Sequence, residues 1–492
     1  MSPDHTSDGC GCSSGTGRRN FMRGCGAAVA FALAGTAPSS VAAQESDGKS
    51  PIEELLSDAP KDWGRWGEED ELGRLNLLGS EQAFEGMKAA TKRGRNGVQR
   101  FTLQLSMTGE VINPDPDQPE VIFPPGDGSG PQWPSTDTGD PAFPPRTPAR
   151  RDNTTPPEGS QVAGGVAFVD DKFAADFFLQ GTTHLDALGH AWYGEQIYNG
   201  FDVSTTNEER EFETTLVGTA TDPDGSDAGD APDGTDAIPD NGDRETLGPV
   251  AETNGLGRAD ISGTAGRGLA GRGVLLDVGR HLDAGDENGR LPLGYGITHE
   301  DLMATADAQG TTIQDRDLLL VRTGSIERTR DPEAEWAPLN EPGLLYSEEL
   351  VDWIAGMDIP YVGADNLGVE KVIQTIDGQT YVIPLHGALL RNLGVYLNEI
   401  LDLSELAAAC AADGIYEFLF TAAPLNVERG SGAPVNPVVL KATTPSGGDK
   451  EGDGDDSGDG DDGDGNGGDK EGNGGNGDGG DGDDGRGRVR MP

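Results

Sequence analysis

Short apolar runs bounded by Gly, Pro and charged residues alternate with amphipathic stretches along the second half of the chain, and this alternation predicts a layered α/β domain. GRGVLLDV (Gly271 to Val278), DLLLVRTG (Asp317 to Gly324) and IPYVGAD (Ile359 to Asp365) have no polar face inside the run, as buried strands require. QTYVIPL (Gln379 to Leu385), VYLNE (Val395 to Glu399) and YEFLF (Tyr416 to Phe420) extend the set, with a short helix over Gly387 to Leu393 between the first two. Thr298 to Gln309 predicts a helix with a threonine N-cap, acids in its first turn and Gly310 at its stop. Ser347 to Ala355 predicts a second, closed by Gly356, and Ser404 is expected to cap a third that ends near Gly414. Upstream, FAADFFLQ (Phe173 to Gln180) alternates apolar and polar residues like an extended strand.

Three stretches break the pattern. Residues 113–160 are crowded with Pro, Gly, Asp and Thr, residues 219–248 are acidic and rich in Gly and Pro, and residues 444–492 are nearly pure Gly and Asp. None carries enough apolar surface to pack a core, so the first two read as acidic insertions into a domain spanning 44–443 and the last as a solvated tail. The DGDGDD runs of the tail lack the spaced ligands and terminal Glu of an EF-hand loop.

Charge narrows the partners. The 492 residues carry 36 Lys and Arg against 86 Asp and Glu, a formal net charge of -50. Binding a polyanion needs a basic face that this balance denies, which excludes nucleic acid and disfavours an anionic membrane surface. The tail holds fifteen acids against five bases, so most of the excess lies on the rest of the chain. Such self-repulsion is tolerable where salt screens it, with a Debye length of about 3 Å at 1 M, and reads as adaptation to high salinity; an acidic protein from an ordinary environment is the plainer alternative.

At the N-terminus, Arg18 and Arg19 precede the mildly apolar run Gly24 to Ala34 and the small residues Val41, Ala42 and Ala43. The order resembles a twin-arginine export signal over residues 1–43, with a mature chain starting near Gln44 and an extracellular or cell-surface location. The run is too short and too rich in Gly and Ala to span a bilayer. Of four cysteines only Cys410 follows that segment, so no disulfide framework is possible, and Cys410 reads as a small core residue.

The densest chemistry lies in LQGTTHLDALGHAWY, Leu179 to Tyr193. In extended backbone His184 and Asp186 point to one face and can grip one ion. His190 follows a small, turn-prone Ala187 to Gly189 and can return to the same cavity, where an imidazole free of metal suits general acid/base work near neutral pH. Farther on, His386 opens a helix after an apolar run and Glu399 ends an otherwise apolar strand, positions that suit ligands. With thiolates nearly absent, any centre is ligated by nitrogen and oxygen, which favours zinc or manganese over iron–sulfur or copper. His281 and His299 receive no role.

The motif resembles the H-x-G-T-H-x-D-x-x-x-H signature of the cyclase family, which includes bacterial kynurenine formamidase and isatin hydrolase. WGRWGEEDELGRLNLL (Trp63 to Leu78), GRGVLLDV, GADNLGVE (Gly363 to Glu370) and PLHGALLRNLGVYLNEILDL (Pro384 to Leu403) look like the same family, so the resemblance runs from Trp63 to Lys441 outside the acidic insertions. It implies a swivelling β/α-type cyclase fold, a twisted mixed sheet with flanking helices, and a homo-oligomer. It further implies His184 and Asp186 as metal ligands, His190 as the proton-transfer group, and His386 and Glu399 as ligands completing a second site. One departure stands out: the family's first ligand histidine falls at Gln180, a weaker ligand, and Thr182 replaces the family's glycine, so one ion or two, Zn²⁺ or Mn²⁺, remain open. The implied activity is hydrolysis of a C–N bond other than a peptide bond, or of a lactone, in a small-molecule substrate: an amide, formamide or cyclic amide, with metal-activated water and His190 as general acid/base. In kynurenine formamidase this chemistry serves tryptophan catabolism; an exported chain would act elsewhere. The alternative is a secreted, non-catalytic small-molecule-binding protein on the same fold.

Overall fold

The computed structural model describes residues 49–91, 97–107, 178–211 and 252–443, apart from 283 and 332, and backbone segments at 151–153, 160–161, 167–168 and 171–173. The export segment 1–43, the acidic stretch 219–248 and the tail 444–492 lie outside the described residues, as does most of 113–160. Within the last span, Arg151–Asn153 pairs antiparallel with Asp171–Phe173 and Ser160–Gln161 with Ala167–Phe168.

Nine strands build the main sheet: β1 (Val98–Thr102), β2 (His184–Asp186), β3 (Leu269–Asp277), β4 (Leu318–Arg322), β5 (Tyr361–Ala364), β6 (Tyr396–Glu399), β7 (Glu417–Ala422), β8 (Gly432–Pro434) and β9 (Val438–Ala442). Their order is β1-β9-β7-β3-β4-β5-β6-β2-β8. The central strands β3, β4, β5 and β6 run parallel, and antiparallel strands complete both sides. The apolar runs explain the centre: every residue of LLLVR in β4 and of YVGA in β5 is buried, as expected where both faces of a parallel sheet are covered. Helices α1 (Ser80–Thr91), α2 (His299–Gln309), α3 (Glu348–Gly356) and α4 (Ser404–Asp413) flank it, with α2 and α3 bridging successive parallel strands. The layered α/β architecture is the one that the alternation of runs predicts, and the mixed sheet with flanking helices is the one that the family resemblance implies.

Helix α1 crosses β3, β7 and β9. It approaches closely because residue 86 is glycine: a methyl group there would stand 2.5 Å from the carbonyl oxygen of Gly271. Helix α2 starts as its sequence predicts, with Thr298 Oγ1 accepting from the Asp301 amide at 3.1 Å and Asp301 Oδ2 accepting from the Thr298 amide at 2.9 Å. Gly310 closes it at φ +64°, a left-handed stop that glycine reaches without a Cβ penalty.

Several boundaries differ from the sequence expectation. Helix α3 runs through Gly356 and ends at Met357. Ser404 is the first residue of α4 and not its cap; Asp402 Oδ1 accepts from its amide at 3.3 Å and its hydroxyl at 2.6 Å. The strand expected over Gln379 to Leu385 stops at Val382 and pairs with Ile373–Ile376 outside the main sheet, because Pro384 starts a helical turn. Residues 174–177 of FAADFFLQ lie outside the described residues, Phe173 ends a short strand, and residues 179–180 form a turn. Cys410 packs in the core, where burial pushes its thiol pKa up.

Candidate metal centre

Polar residues collect where the parallel strands end. Asp277, Arg322 and Glu399 terminate β3, β4 and β6, and Asp365 follows β5; all are buried, at the carboxyl edge where α/β sheets hold ligands. The register then assembles the centre. His184 lies opposite Glu399 across the β2–β6 pair, and Asp186, two residues on, shares their face. On the other side Gly432 of β8 is opposite Asp186. A Cβ at Gly432 would stand 3.3 Å from Asp186 Oδ1 and 3.0 Å from Gln180 Nε2, so a larger residue would intrude on both.

His386 reaches the same space from the end of the helical turn Pro384–His386 and, as expected, stands at the start of the helix over Gly387–Leu393, which is a π-helix. Its Nε2 lies 3.2 Å from Glu399 Oε1 and 3.8 Å from Asp186 Oδ2. The Nε2 of His184 lies 3.2 Å from Glu399 Oε2 and 3.4 Å from Asp186 Oδ1. Each carboxylate therefore turns one oxygen toward each imidazole. His190 stands at the rim with 27 % of its side chain exposed and Nε2 3.8 Å from Asp186 Oδ1. Gln180 is buried beside them, its amide nitrogen donating to Ser431 Oγ at 2.9 Å. All six residues singled out from the sequence are thus brought to one place.

The imidazoles are oriented from behind. Nδ1 of His184 is 2.7 Å from the Thr182 carbonyl oxygen, which requires a proton on that nitrogen and leaves the Nε2 lone pair facing inward. Nδ1 of His386 is 2.7 Å from Glu370 Oε1. The Glu370 carboxylate is itself held by the amides of His386 (2.8 Å) and Leu385 (2.9 Å) and by Gln374 Nε2 (2.8 Å). Sequence reasoning gave Glu370 no role, although it ends the quoted stretch GADNLGVE; sixteen residues separate it from His386, and no local pattern links them.

Three β-branched residues adopt left-handed backbone beside these groups: Val369 (φ +57°) before Glu370, Ile383 (φ +44°) before the His386 turn, and Ile400 (φ +58°) after Glu399. Each such conformation costs on the order of 1–3 kcal/mol and persists where surrounding structure enforces it, commonly at functional sites. Here Thr183 Oγ1 donates to the Ile400 carbonyl at 2.6 Å, the Ile400 amide donates to the Asn366 carbonyl at 2.9 Å, and Asn398 Nδ2 donates to the His184 carbonyl at 2.6 Å.

The electrostatics call for a cation. Both Asp186 oxygens are buried without a hydrogen-bond donor. A naked buried carboxylate is costly, and in native structures such a group is expected to meet an ion or another partner. Burial disfavours the charged imidazoles, yet Asp186 and Glu399 beside His184, and Glu370 and Glu399 beside His386, outweigh it and hold His184 up at about 9 and His386 up at about 10. Protons on the histidines thus neutralise the cluster when nothing else does. Burial opposes ionisation of Glu399 as well, but the two histidines pull its pKa well below the usual carboxylate range. His190 is opposite in kind: burial, helped by the neighbouring imidazoles, lowers its pKa and keeps it neutral near pH 7. Two sets of ligand atoms, from His184, Asp186 and Glu399 and from Asp186, His190 and His386, each lie within 4.8 Å of one another. The donor set fits one or two divalent cations.

Comparison with known proteins places the chain in a family. The family model described as "Putative cyclase" matches residues 123–371. A solved structure described as a novel cyclase is 26 % identical with a TM-score of 0.53, covering 80 % of this chain and 100 % of that one. Isatin hydrolase A from Ralstonia solanacearum is 16 % identical with a TM-score of 0.39, over 70 % of this chain and 92 % of its own. An isatin hydrolase bound to the product analogue thioisatinate is 15 % identical with a TM-score of 0.38, over 74 % and 100 %. No curated protein matches the chain.

Proposed function

The chain belongs to the cyclase family, and from that premise we propose that it is a metal-dependent hydrolase of a small amide, formamide, cyclic amide or lactone. The observation that carries the reading is the pair of donor-less Asp186 oxygens, enclosed by two inward-facing imidazoles and Glu399, with a neutral histidine at the rim. His184, Asp186, His386 and Glu399 would hold the cation. When bound, it supplies a water made acidic near neutral pH and a positive charge to polarise a carbonyl oxygen.

The chain's own groups do the rest. His190 Nε2 takes the proton that water loses as its oxygen adds to the substrate carbonyl carbon, and returns it to the leaving nitrogen or oxygen as the carbonyl bond to that atom breaks. The products are a carboxylic acid and an amine or alcohol. Its lowered pKa suits the first half, because an imidazole already protonated at neutral pH accepts nothing. Its partial exposure suits the second, since the substrate must reach it from the rim. Glu370 and the Thr182 carbonyl keep the other two imidazoles with Nε2 inward, so they bind and do not relay protons.

The substrate class is tested by a hydrolysis screen of N-formylkynurenine, isatin, cyclic imides and lactones at molar salt, with and without Zn²⁺ or Mn²⁺. High salt is chosen because the net charge of -50 accords with a chain exported into a saline medium. His190→Ala is expected to lower kcat/KM by about 10²–10⁴ while metal content stays unchanged. A variant that keeps both its metal and its full rate would remove His190 from the mechanism.

A further inference from the structure

The two imidazoles that face Asp186 and Glu399 are backed by different groups, and the metal-centre reading above gives that difference a consequence. Nδ1 of His184 donates to a neutral carbonyl, that of Thr182, at 2.7 Å. Nδ1 of His386 meets a carboxylate, Glu370, also at 2.7 Å. Glu370 is 1 % exposed, and among the described residues its remaining hydrogen bonds come from the Leu385 and His386 amides and Gln374 Nε2, none of them a cation. Gln374 is in turn fixed by accepting from the Tyr346 amide at 2.8 Å. A carboxylate behind an imidazole raises its basicity as a ligand and locks the ring, whereas a carbonyl only orients it.

The rest of each half adds to the asymmetry. On the His386 side, His386 is the imidazole so favoured, while His190 stands at the rim with its Nε2 3.8 Å from Asp186 Oδ1 and is left free to move protons. On the His184 side the additional polar side chain is Gln180, an amide whose nitrogen is engaged with Ser431 Oγ at 2.9 Å. Divalent zinc prefers imidazole nitrogen to amide groups.

We propose that the halves are unequal and that the first divalent cation enters on the His386 side, next to His190, with Glu370 as the positioning residue that sets this order. The His184 side fills second or stays empty at moderate metal concentration. One cation beside the proton-transfer histidine then suffices for hydrolysis.

The test is stepwise Zn²⁺ titration of the metal-free full-length chain, with the first-equivalent Kd measured by chelator competition. Glu370→Gln should weaken the first equivalent about 10–100-fold, and His184→Gln should leave it within about threefold while weakening or abolishing any second. The opposite ranking, with His184→Gln striking the first equivalent and Glu370→Gln sparing it, overturns the proposal. Should Glu370→Gln misfold, histidine-selective ¹⁵N spectra of the unsubstituted chain decide. His386 resonances moving with the first equivalent and His184 resonances only later support the order; His184 moving first, or both together, refutes it. Failure of this order would leave the hydrolase reading standing if substrates are still turned over, whereas absence of both bound metal and turnover would sink that reading.

Discussion

Two buried polar clusters sit at the same edge of the sheet, and they differ in one respect. At the ends of β3 and β4, Arg322 donates to Asp277 Oδ1 (2.6 Å), to both oxygens of Glu327 (2.8 Å each), and to the carbonyls of Gly289 (3.0 Å) and Asn288 (3.2 Å). Asp277 Oδ2 accepts from Arg280 at 2.9 Å. Charges are matched by charges within the chain, and every group has a partner. A few strands away, at the end of β6 and on β2, Asp186 has no donor and the nearest cations are histidines that must first take up protons. The first cluster is complete by itself and serves the architecture; the second is complete only with something added.

The largest effect that would break this contrast concerns Arg322. Arg322→Met leaves buried Asp277 with only the partly exposed Arg280 as a cation, and removing one partner of a buried pair costs roughly 3–5 kcal/mol. Thermal unfolding should show a large drop in Tm that added metal does not cancel, while metal bound per folded chain stays unchanged. If the drop instead disappeared on adding metal, the two clusters would not be separable.

Metal itself should give the next effect. At a free concentration of about 100 times Kd, a cation bound only by the folded chain adds about 2.7 kcal/mol. Differential scanning with and without Zn²⁺ or Mn²⁺ should show the corresponding rise in Tm, reversed by chelator. Asp186→Asn should abolish that rise, and in the metal-free chain it should also lower Tm, because the carboxylate faces the His184 and His386 imidazoles that take up protons there. A metal-dependent rise that survived in Asp186→Asn would mean that the cation binds elsewhere.

The smallest effect sharpens what complete means. Glu341 is buried, accepting from Ser325 Oγ at 2.5 Å, Trp336 Nε1 at 2.8 Å and the Leu367 amide at 2.7 Å, with no cation among these partners. Burial pushes its pKa up to about 7. The folded chain therefore keeps a proton that the unfolded chain releases near pH 4.3, so this contribution to stability is full below that point and is lost as pH rises toward 7. Glu341→Gln, which mimics the protonated form, should flatten the fall in denaturant midpoint between about pH 4.5 and 7 relative to the unsubstituted chain. Parallel pH profiles would count against a raised Glu341.

Much of the scaffold is legible in the sequence because its causes are local. The runs LLLVR and YVGA can only be buried on both faces, and the Thr298 to Gly310 helix carries both of its end signals. Where a boundary depended on what a residue meets in space, local reading slipped: Ser404 looks like a cap until Asp402 is seen to take its amide, and Gln379 to Leu385 looks like one strand until Val382 is paired in a separate hairpin.

By itself the sequence determined that an α/β sheet would form and that His184 and Asp186 share one side of a strand, since both follow from periodicity within a few residues. Only the tertiary structure decided that Glu399 lies opposite His184, that His386 arrives from beyond a strained turn, and that Glu370 stands behind it. Those positions depend on strand register and on loops closed over long separations, which no local pattern encodes. The same packing left Asp186 without a donor, and that deficit, more than any motif, marks where chemistry is to be sought.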